Sequence, residues 1–259
     1  MTVSSPAPFS PDCAFVDEVR PAANFDRRAD GTAIDILLLH YTGMASEDGA
    51  IDRLTSADSG VSCHYFVRAD GTLLQFLPES ARGWHAGVSN WHGLSDINSR
   101  SIGVEIANPG HEGGYPDFTE AQVGTVIRLA RDCGGRRRIP PERVLAHSDV
   151  APQRKQDPGE KFPWAELHRA GVGHFVAPAA IGGGRFLQRG DTGTPIEALQ
   201  SMLALYGYGV EISGVFDEPT EAVIRAFQRH FRPALVDGVA DRSTIETLRM
   251  LIAALPQYS

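Results

Sequence analysis

Residues 34–39 read Ile-Asp-Ile-Leu-Leu-Leu and run into His40, after which Tyr-Thr-Gly supplies turn chemistry. An apolar run of this length suits a buried strand rather than a helix, and a buried strand requires a sheet around it. Residues 61–67 give a second strand, and Asp70-Gly71 makes a hairpin turn into residues 73–77. Residues 101–107 (Ser-Ile-Gly-Val-Glu-Ile-Ala) form another buried strand with one charge, Glu105, and residues 144–146 form a short strand ending at His147. Residues 48–56 predict a short helix. Thr119 starts a longer one, with Glu120 and Gln122 early and Val123, Ile127, Leu129 and Ala130 behind. The pattern predicts an α/β (α+β) fold, a mixed central sheet flanked by helices.

The ends of the chain differ from this middle. Residues 1–33, rich in Pro, Ala and polar residues, predict an extended arm leading into a domain over 34–176. Residues 177–185 (Ala-Pro-Ala-Ala-Ile-Gly-Gly-Gly-Arg) predict a flexible linker. Residues 186–259 carry helical periodicity three times, over 195–206, 220–231 and 243–255, which predicts a small C-terminal three-helix domain. Phe216-Asp217 and Val239-Ala240-Asp241 occupy corresponding places before the second and third of these helices, as in a weak internal repeat. Asp217 and Asp241 are read as capping or turn residues rather than ligands.

With 259 residues, 42% hydrophobic and 22% charged, the chain can bury a core without disulfides. Its three cysteines, Cys13, Cys63 and Cys133, are scattered and suit a reducing compartment. The net charge of −8 argues against nucleic acid or an anionic membrane as partner. Arg136, Arg137 and Arg138 form the one dense cationic run and read as a solvated loop before Ile139-Pro140. No basic and apolar leader opens the chain, and no apolar stretch approaches ~18 residues, so neither a signal peptide nor a membrane span is expected. The expectation is a cytoplasmic monomer, the alternative being the periplasm or cell envelope, reached by an export signal that the sequence does not display.

His40 and His147 close strands, and Asp157 lies ten residues past His147 in a loop broken by Pro152, Pro158 and Gly159. Two histidines and a carboxylate make a usual zinc-hydrolase ligand set, leaving one position open for the water that the metal activates. Glu105, costly in an apolar strand unless paired or functional, could move the proton, and Lys155 could face the developing oxyanion. The chain has nine histidines, so spacing alone leaves a structural role for each of these open.

Five blocks, in order, resemble the amidase-2 family of N-acetylmuramoyl-L-alanine amidases, which is related to bacteriophage T7 lysozyme and the peptidoglycan recognition proteins. They are Leu37-Leu38-Leu39-His40-Tyr41-Thr42, Val61-Ser62-Cys63-His64-Tyr65, Trp84-His85-Ala86-Gly87-Val88-Ser89, Ser101-Ile102-Gly103-Val104-Glu105-Ile106, and the run from His147 to Trp164, which includes Arg154-Lys155-Gln156-Asp157-Pro158-Gly159. The resemblance implies His40, His147 and Asp157 as ligands of one Zn2+, and Glu105 with Lys155 as the catalytic pair. Asp157, where the recognition proteins use cysteine, is similar to the bacterial AmpD and AmiD types, and Tyr41-Thr42 resembles the AmiD-like branch. The C-terminal segment resembles the peptidoglycan-binding domain type 1 through Arg189-Gly190-Asp191, Leu199-Gln200, Gly214-Val215-Phe216-Asp217, Ala226-Phe227-Gln228 and Asp237-Gly238-Val239-Ala240-Asp241. Wall-glycan binding is the role this implies, and plain packing is the other.

Five residues are further substrate candidates. His64 either faces the site or is a hydrogen-bonded core histidine. Trp84 and His85 fall in a loop that resembles a substrate-facing one. Arg154 suits a stem-peptide carboxylate or a surface salt bridge, and Asn108 completes the set. Asp149 either orients a ligand or caps a turn. The implied activity is zinc-dependent hydrolysis of the amide between N-acetylmuramic acid, or its anhydro form, and L-alanine of the stem peptide. Its partners would be muropeptides or the sacculus. A non-catalytic peptidoglycan-binding protein is the alternative; a peptidase acting inside the stem is a third reading, weakened by the lack of a His-Glu-x-x-His helix.

Overall fold

The structure, a computed structural model, describes residues 9–256. Its strands are β1 (Glu18–Val19), β2 (Phe25–Arg27), β3 (Ile36–Tyr41), β4 (Tyr65–Val67), β5 (Leu73–Gln75), β6 (Ala81–Gly83), β7 (Ser101–Ile106) and β8 (Val144–Ala146). Its α-helices are α1 (Glu47–Thr55), α2 (Ile97–Arg100), α3 (Glu120–Arg137), α4 (His147–Val150), α5 (Trp164–Arg169), α6 (Thr194–Tyr206), α7 (Glu218–Phe231) and α8 (Arg242–Ala253). Six strands form a mixed sheet in the order β1-β5-β4-β7-β3-β8, and β2 pairs with β6 in a separate ribbon. Within the large sheet β4 and β5 are antiparallel and the other neighbours parallel.

Strand residues alternate faces, so each face has its own cover. One face carries Leu37, Leu39, Ile102, Val104 and Ile106, packed against Val123, Val126, Leu129 and Cys133 of α3. That helix starts on a capping box between Thr119 and Gln122. The other face has two covers. Over β4 and β5, α1 buries Ala50, Ile51 and Leu54 against Phe66 and Leu74. Over β3 and β8, Ile36, Leu38 and Leu145 share one core with Ile196, Leu199, Phe227 and Leu248 of the three C-terminal helices. Between the covers, the same face carries His40 and Glu105.

The C-terminal helices follow the expected repeat. Gln200 of α6 accepts from the Ser213 and Gly214 N–H groups and donates to the Val215 carbonyl and the Thr220 hydroxyl. Gln228 of α7 repeats this with the Asp237 and Gly238 N–H groups, the Val239 carbonyl and Thr244. Asp217 and Asp241 each cap the next helix through the N–H of Thr220 and Thr244. Residues 177–185 have no helix or strand, but Ala179 is tied to α8 by its N–H to Thr247 and by its carbonyl from the Ser243 hydroxyl.

Three local expectations change. Within the described part of the expected arm, β1 adds an edge strand beside β5, and Cys13, Ala22 and Asn24 are buried; residues 1–8 lie outside the described residues. The strand expected over 61–67 is regular only from Tyr65, because the Ser62 N–H turns aside to the Trp84 carbonyl. The cationic run is no free loop. Arg136 and Arg137 end α3 and converge with the Tyr65 hydroxyl on Glu79, which is fully buried, at 2.7–2.8 Å. Sequence spacing does not show that anion, because it sits more than fifty residues upstream.

Burial alone would raise the Glu79 pKa, but the hydrogen bonds from Arg136, Arg137 and Tyr65 outweigh it and hold the carboxyl at about 2. A depressed carboxyl stabilises the fold fully above its unfolded value of about 4.3, and that contribution is lost as pH falls through about 2. Glu79→Gln leaves Arg137 without its anion and Arg136 with Asp132 alone, and is expected to cost about 3 kcal/mol at pH 7. Urea unfolding of wild type and variant at pH 7 and pH 3 checks this: the gap should narrow towards acid, and a gap independent of pH contradicts the assignment.

Candidate metal centre and active-site cleft

Strand register builds the site. Parallel pairing sets His40 of β3 directly beside Glu105 of β7, and Leu39 beside Ala146 of β8, so His147 follows at the next position along. All three therefore stand at the C-terminal edge of adjacent parallel strands, the usual mouth of such sheets. Asp157 returns on the loop after α4, where the Ser148 N–H donates to its backbone carbonyl at 3.0 Å.

The ligand atoms converge. His40 Nδ1 lies 2.9 Å from His147 Nδ1 and 3.2 Å from Asp157 Oδ2, and His147 Nδ1 lies 3.0 Å from the same oxygen. All three residues are buried. Donors of a tetrahedral ion with ~2.0 Å bonds are about 3.3 Å apart, so this triangle is nearly the right size for one divalent metal. The far sides of the rings agree. His147 Nε2 reaches the Ala86 carbonyl at 3.1 Å, which must receive a proton and so leaves the Nδ1 lone pair facing the cluster. His40 Nε2 is paired with His85 Nδ1 at 3.1 Å. Such outer partners fix the tautomer and orientation of a metal-bound imidazole.

Electrostatics fit the same assignment. Burial, and then the facing His147, push His40 down to about 4, so its ring is neutral. Burial opposes ionisation of Asp157, but the two imidazoles overcome it and hold the carboxyl far below its usual range. Glu105 behaves oppositely: burial and then the Asp157 charge raise it well above the usual carboxylate value, with Lys155 pulling the other way. Its Oε2 is out of solvent contact and has no hydrogen-bond partner among the described residues. A carboxyl group with a free oxygen and a raised pKa is suited to proton transfer.

A cleft of about 490 Å³ opens over these residues, between α1 and the loop carrying Lys155 and Asp157, with Trp84 and His85 on its wall. Lys155 and Arg154 also border a second depression that reaches Arg225 and Arg229 of α7.

The remaining candidates divide. Trp84 lines the cleft, and its indole N–H is anchored on Asp26 at 2.8 Å. His85 also borders the cleft but serves His40. It lies so close to β7 that a Cβ on Gly103 would stand 2.5 Å from its ring. His64 is fully buried: its Nδ1 accepts the Gly103 N–H, its Nε2 faces the Ala81 carbonyl and Arg28, and it does not reach the cleft. Asn108 is likewise buried in a turn, donating to the Pro116 carbonyl and accepting the Gly110 N–H. Arg154 forms no salt bridge among the described residues; its guanidinium binds the Ala86 and Val88 carbonyls and so holds the loop that receives His147. Sequence reasoning missed the Ala86 carbonyl, for which a backbone acceptor leaves no signal, and the pairing of His85 Nδ1 with His40 Nε2.

A buried His-His-Asp triangle with an adjacent carboxyl group, in an open cleft at the C-terminal edge of a mixed sheet, defines a metal-dependent hydrolase class. The comparisons narrow the class. Residues 30–160 match the family described as N-acetylmuramoyl-L-alanine amidase, and residues 192–248 match a putative peptidoglycan binding domain. The chain is 39% identical over 225 residues to the N-acetylmuramoyl-L-alanine amidase AmiD of Escherichia coli, covering 82% of this chain and 79% of that protein. It is 33% identical over 138 residues to the 1,6-anhydro-N-acetylmuramyl-L-alanine amidase AmpD of Enterobacter cloacae, covering 53% and 70%. Among solved structures, AmiD from Escherichia coli in complex with anhydro-N-acetylmuramic acid-L-Ala-D-γ-Glu-L-Lys superposes with TM-score 0.74 at 35% identity, over 89% of this chain and 94% of that one. AmpDH3 from Pseudomonas aeruginosa superposes with TM-score 0.72 at 28% identity, over 89% and 96%. The chain belongs to the N-acetylmuramoyl-L-alanine amidase family.

His85→Asn is expected to weaken divalent-metal binding about 10–100-fold with little change in Tm. Gly103→Ala should weaken binding as well, by displacing the ring, and should also lower Tm through the clash. Competition with a chromogenic chelator measures both, and wild-type affinity in the two variants would remove His85 from the ligand-orienting role.

Proposed function

We propose that the protein hydrolyses the amide bond between N-acetylmuramic acid, in its ordinary or anhydro form, and the L-alanine of a peptidoglycan stem peptide, with zinc as the metal. The observation that supports this most directly is the placement of Glu105 beside His40 in register, with His147 and Asp157 closing the ligand triangle. His40, His147 and Asp157 would hold the zinc ion, which would supply water activation and polarisation of the scissile carbonyl.

The chain's own groups account for the rest. Glu105 takes the proton of the attacking water on its unpartnered oxygen and delivers it to the leaving nitrogen. Lys155 presents its cation to the oxygen on which negative charge develops. His85 and the Ala86 carbonyl keep the ligand imidazoles oriented, so no reorganisation is needed as charge moves. Trp84 offers its ring to the substrate from the cleft wall.

In this reading residues 34–176 form the amidase domain, 177–185 the connection, and 186–259 a peptidoglycan-binding-like module, the last three residues lying outside those described. Soluble muropeptides or the sacculus are the partners, and the protein acts as a monomer. No helix among the described residues is long and apolar enough to cross a membrane. We place the enzyme in the cytoplasm, and fractionation of native cells tests that against the envelope.

Glu105→Ala should bind zinc stoichiometrically by elemental analysis while kcat falls by about 10²–10⁴-fold. Mass analysis of wild-type products from a muropeptide should show an intact sugar and a peptide beginning with free L-alanine. Cleavage within the stem, or a fully active Glu105→Ala enzyme, would falsify the reading.

A further inference from the structure

Asp149 lies two residues beyond the ligand His147, in α4, and is fully buried. Its carboxylate accepts three hydrogen bonds. The Ala146 N–H reaches Oδ2 at 2.8 Å, the Tyr208 hydroxyl reaches Oδ1 at 2.7 Å, and His230 Nδ1–H reaches Oδ2 at 2.7 Å. The first is a local cap of α4. The other two cross from the C-terminal helices: Tyr208 follows α6, and His230 sits in the last turn of α7.

The short α4 turn carries one candidate ligand and is tied to another. It begins with His147, and its Ser148 N–H donates to the Asp157 backbone at 3.0 Å. A shift of this turn therefore moves two of the three ligands together. The two donors that hold it are themselves fixed. The His230 ring is sandwiched between Trp164, at 3.7 Å, and Phe231, at 3.8 Å between centroids. Tyr208 follows Gly207, where the Trp91 indole lies so close that a Cβ would stand 2.5 Å from its Cε2. The His92 N–H also donates to the Gly207 carbonyl at 2.8 Å. An interface that only packed would be served by apolar side chains, whereas a buried carboxylate needs all its donors.

We propose that Tyr208 and His230 are positioning residues of the metal centre. They clamp Asp149 and so hold α4 in the pose that aims His147 Nδ1 and Asp157 Oδ2 at one point. The C-terminal module is then part of the metal site as well as a neighbour of it. This rests on the metal-centre reading above but not on the identity of the substrate.

The test uses the full chain in four forms: wild type, Tyr208→Phe, His230→Phe and Leu248→Ala. Tyr208→Phe removes only a hydroxyl, and His230→Phe keeps a ring in the stack. Leu248→Ala loosens the C-terminal core in α8 without touching Asp149. Zinc affinity is read by chelator competition, which needs no substrate, so a wrong amidase reading would leave this comparison intact. The d–d spectrum of the Co2+-loaded protein reports the ligand geometry. The clamp predicts affinity at least about tenfold weaker and an altered Co2+ spectrum in both Asp149-partner variants, with Leu248→Ala unchanged in both readouts despite a lower Tm. Affinity within twofold of wild type in Tyr208→Phe and His230→Phe would overturn it. So would a loss in Leu248→Ala equal to theirs, since the effect would then be one of general stability.

Discussion

The parallel register of β3 against β7 and β8 is the constraint on which the site depends. His40 faces Glu105, and Leu39 faces Ala146, because the strands pair at those positions and no others. A slip of one residue would turn His40 and Glu105 into the α3 core and expose Leu39 and Val104 to the cleft. The apolar alternation prevents this. Leu37, Leu39, Ile102 and Val104 are all buried beneath α3, and Ile36 and Leu38 beneath the C-terminal helices. Burying each such side chain is worth about 1.5–3 kcal/mol, so a slipped strand would forfeit several of these at once. The packing of apolar residues thus sets the position of the polar ones that do chemistry.

Polar groups behind the site extend the same logic. Arg28 donates to the Glu79, Asn98 and Ser101 carbonyls, and its guanidinium approaches His64. Burial, and then the Arg28 charge, lower His64 to about 3, which keeps it neutral. A neutral ring with Nδ1 accepting the Gly103 N–H leaves Nε2–H for the Ala81 carbonyl. His64 thereby ties β7 to β6, and the glycine that accepts this arrangement also makes room for His85. A row of histidines, His64, His85 and His40, runs from the structural interior to the cleft through edge-to-face contacts. Only the last of them belongs to the ligand triangle.

Much of this was legible in the sequence, and the division has a physical cause. Strand ends, capping residues and the charge of Glu105 inside an apolar run are local signals; they located β3, β7, β8 and the start of α3, and offered His40, His147 and Asp157 only as candidates, which the structure brings together. Blocks in family order strengthened the same assignments. What stayed hidden depends on long-range pairing. Whether His64 faced cleft or core turned on Gly103, 39 residues away. Asn108 looked available until its turn closed on Pro116 and Gly110. Arg136 and Arg137 looked solvated because Glu79 lies 57 and 58 residues upstream of them. Asp149 was recognised as either a ligand orienter or a cap, and the structure gives it the cap together with two donors that no local pattern announces.

Those two donors bear on how the C-terminal helices relate to the sheet. Within themselves the helices are well satisfied: Gln200 and Gln228 brace equivalent turns, and Asp217 and Asp241 cap equivalent helices. A unit so complete could hang from residues 177–185 on a loose tether. Instead its core is continuous with Ile36, Leu38, Trp91 and Leu145. The sheet face that bears His40 has apolar residues to either side, and these need burying without roofing over the ligands. Two separate covers meet that requirement: α1 over β4 and β5, the C-terminal helices over β3 and β8. The cleft stays open beside α1, walled on its other side by the loop carrying Lys155 and Asp157, and the C-terminal helices border only the second depression behind that loop.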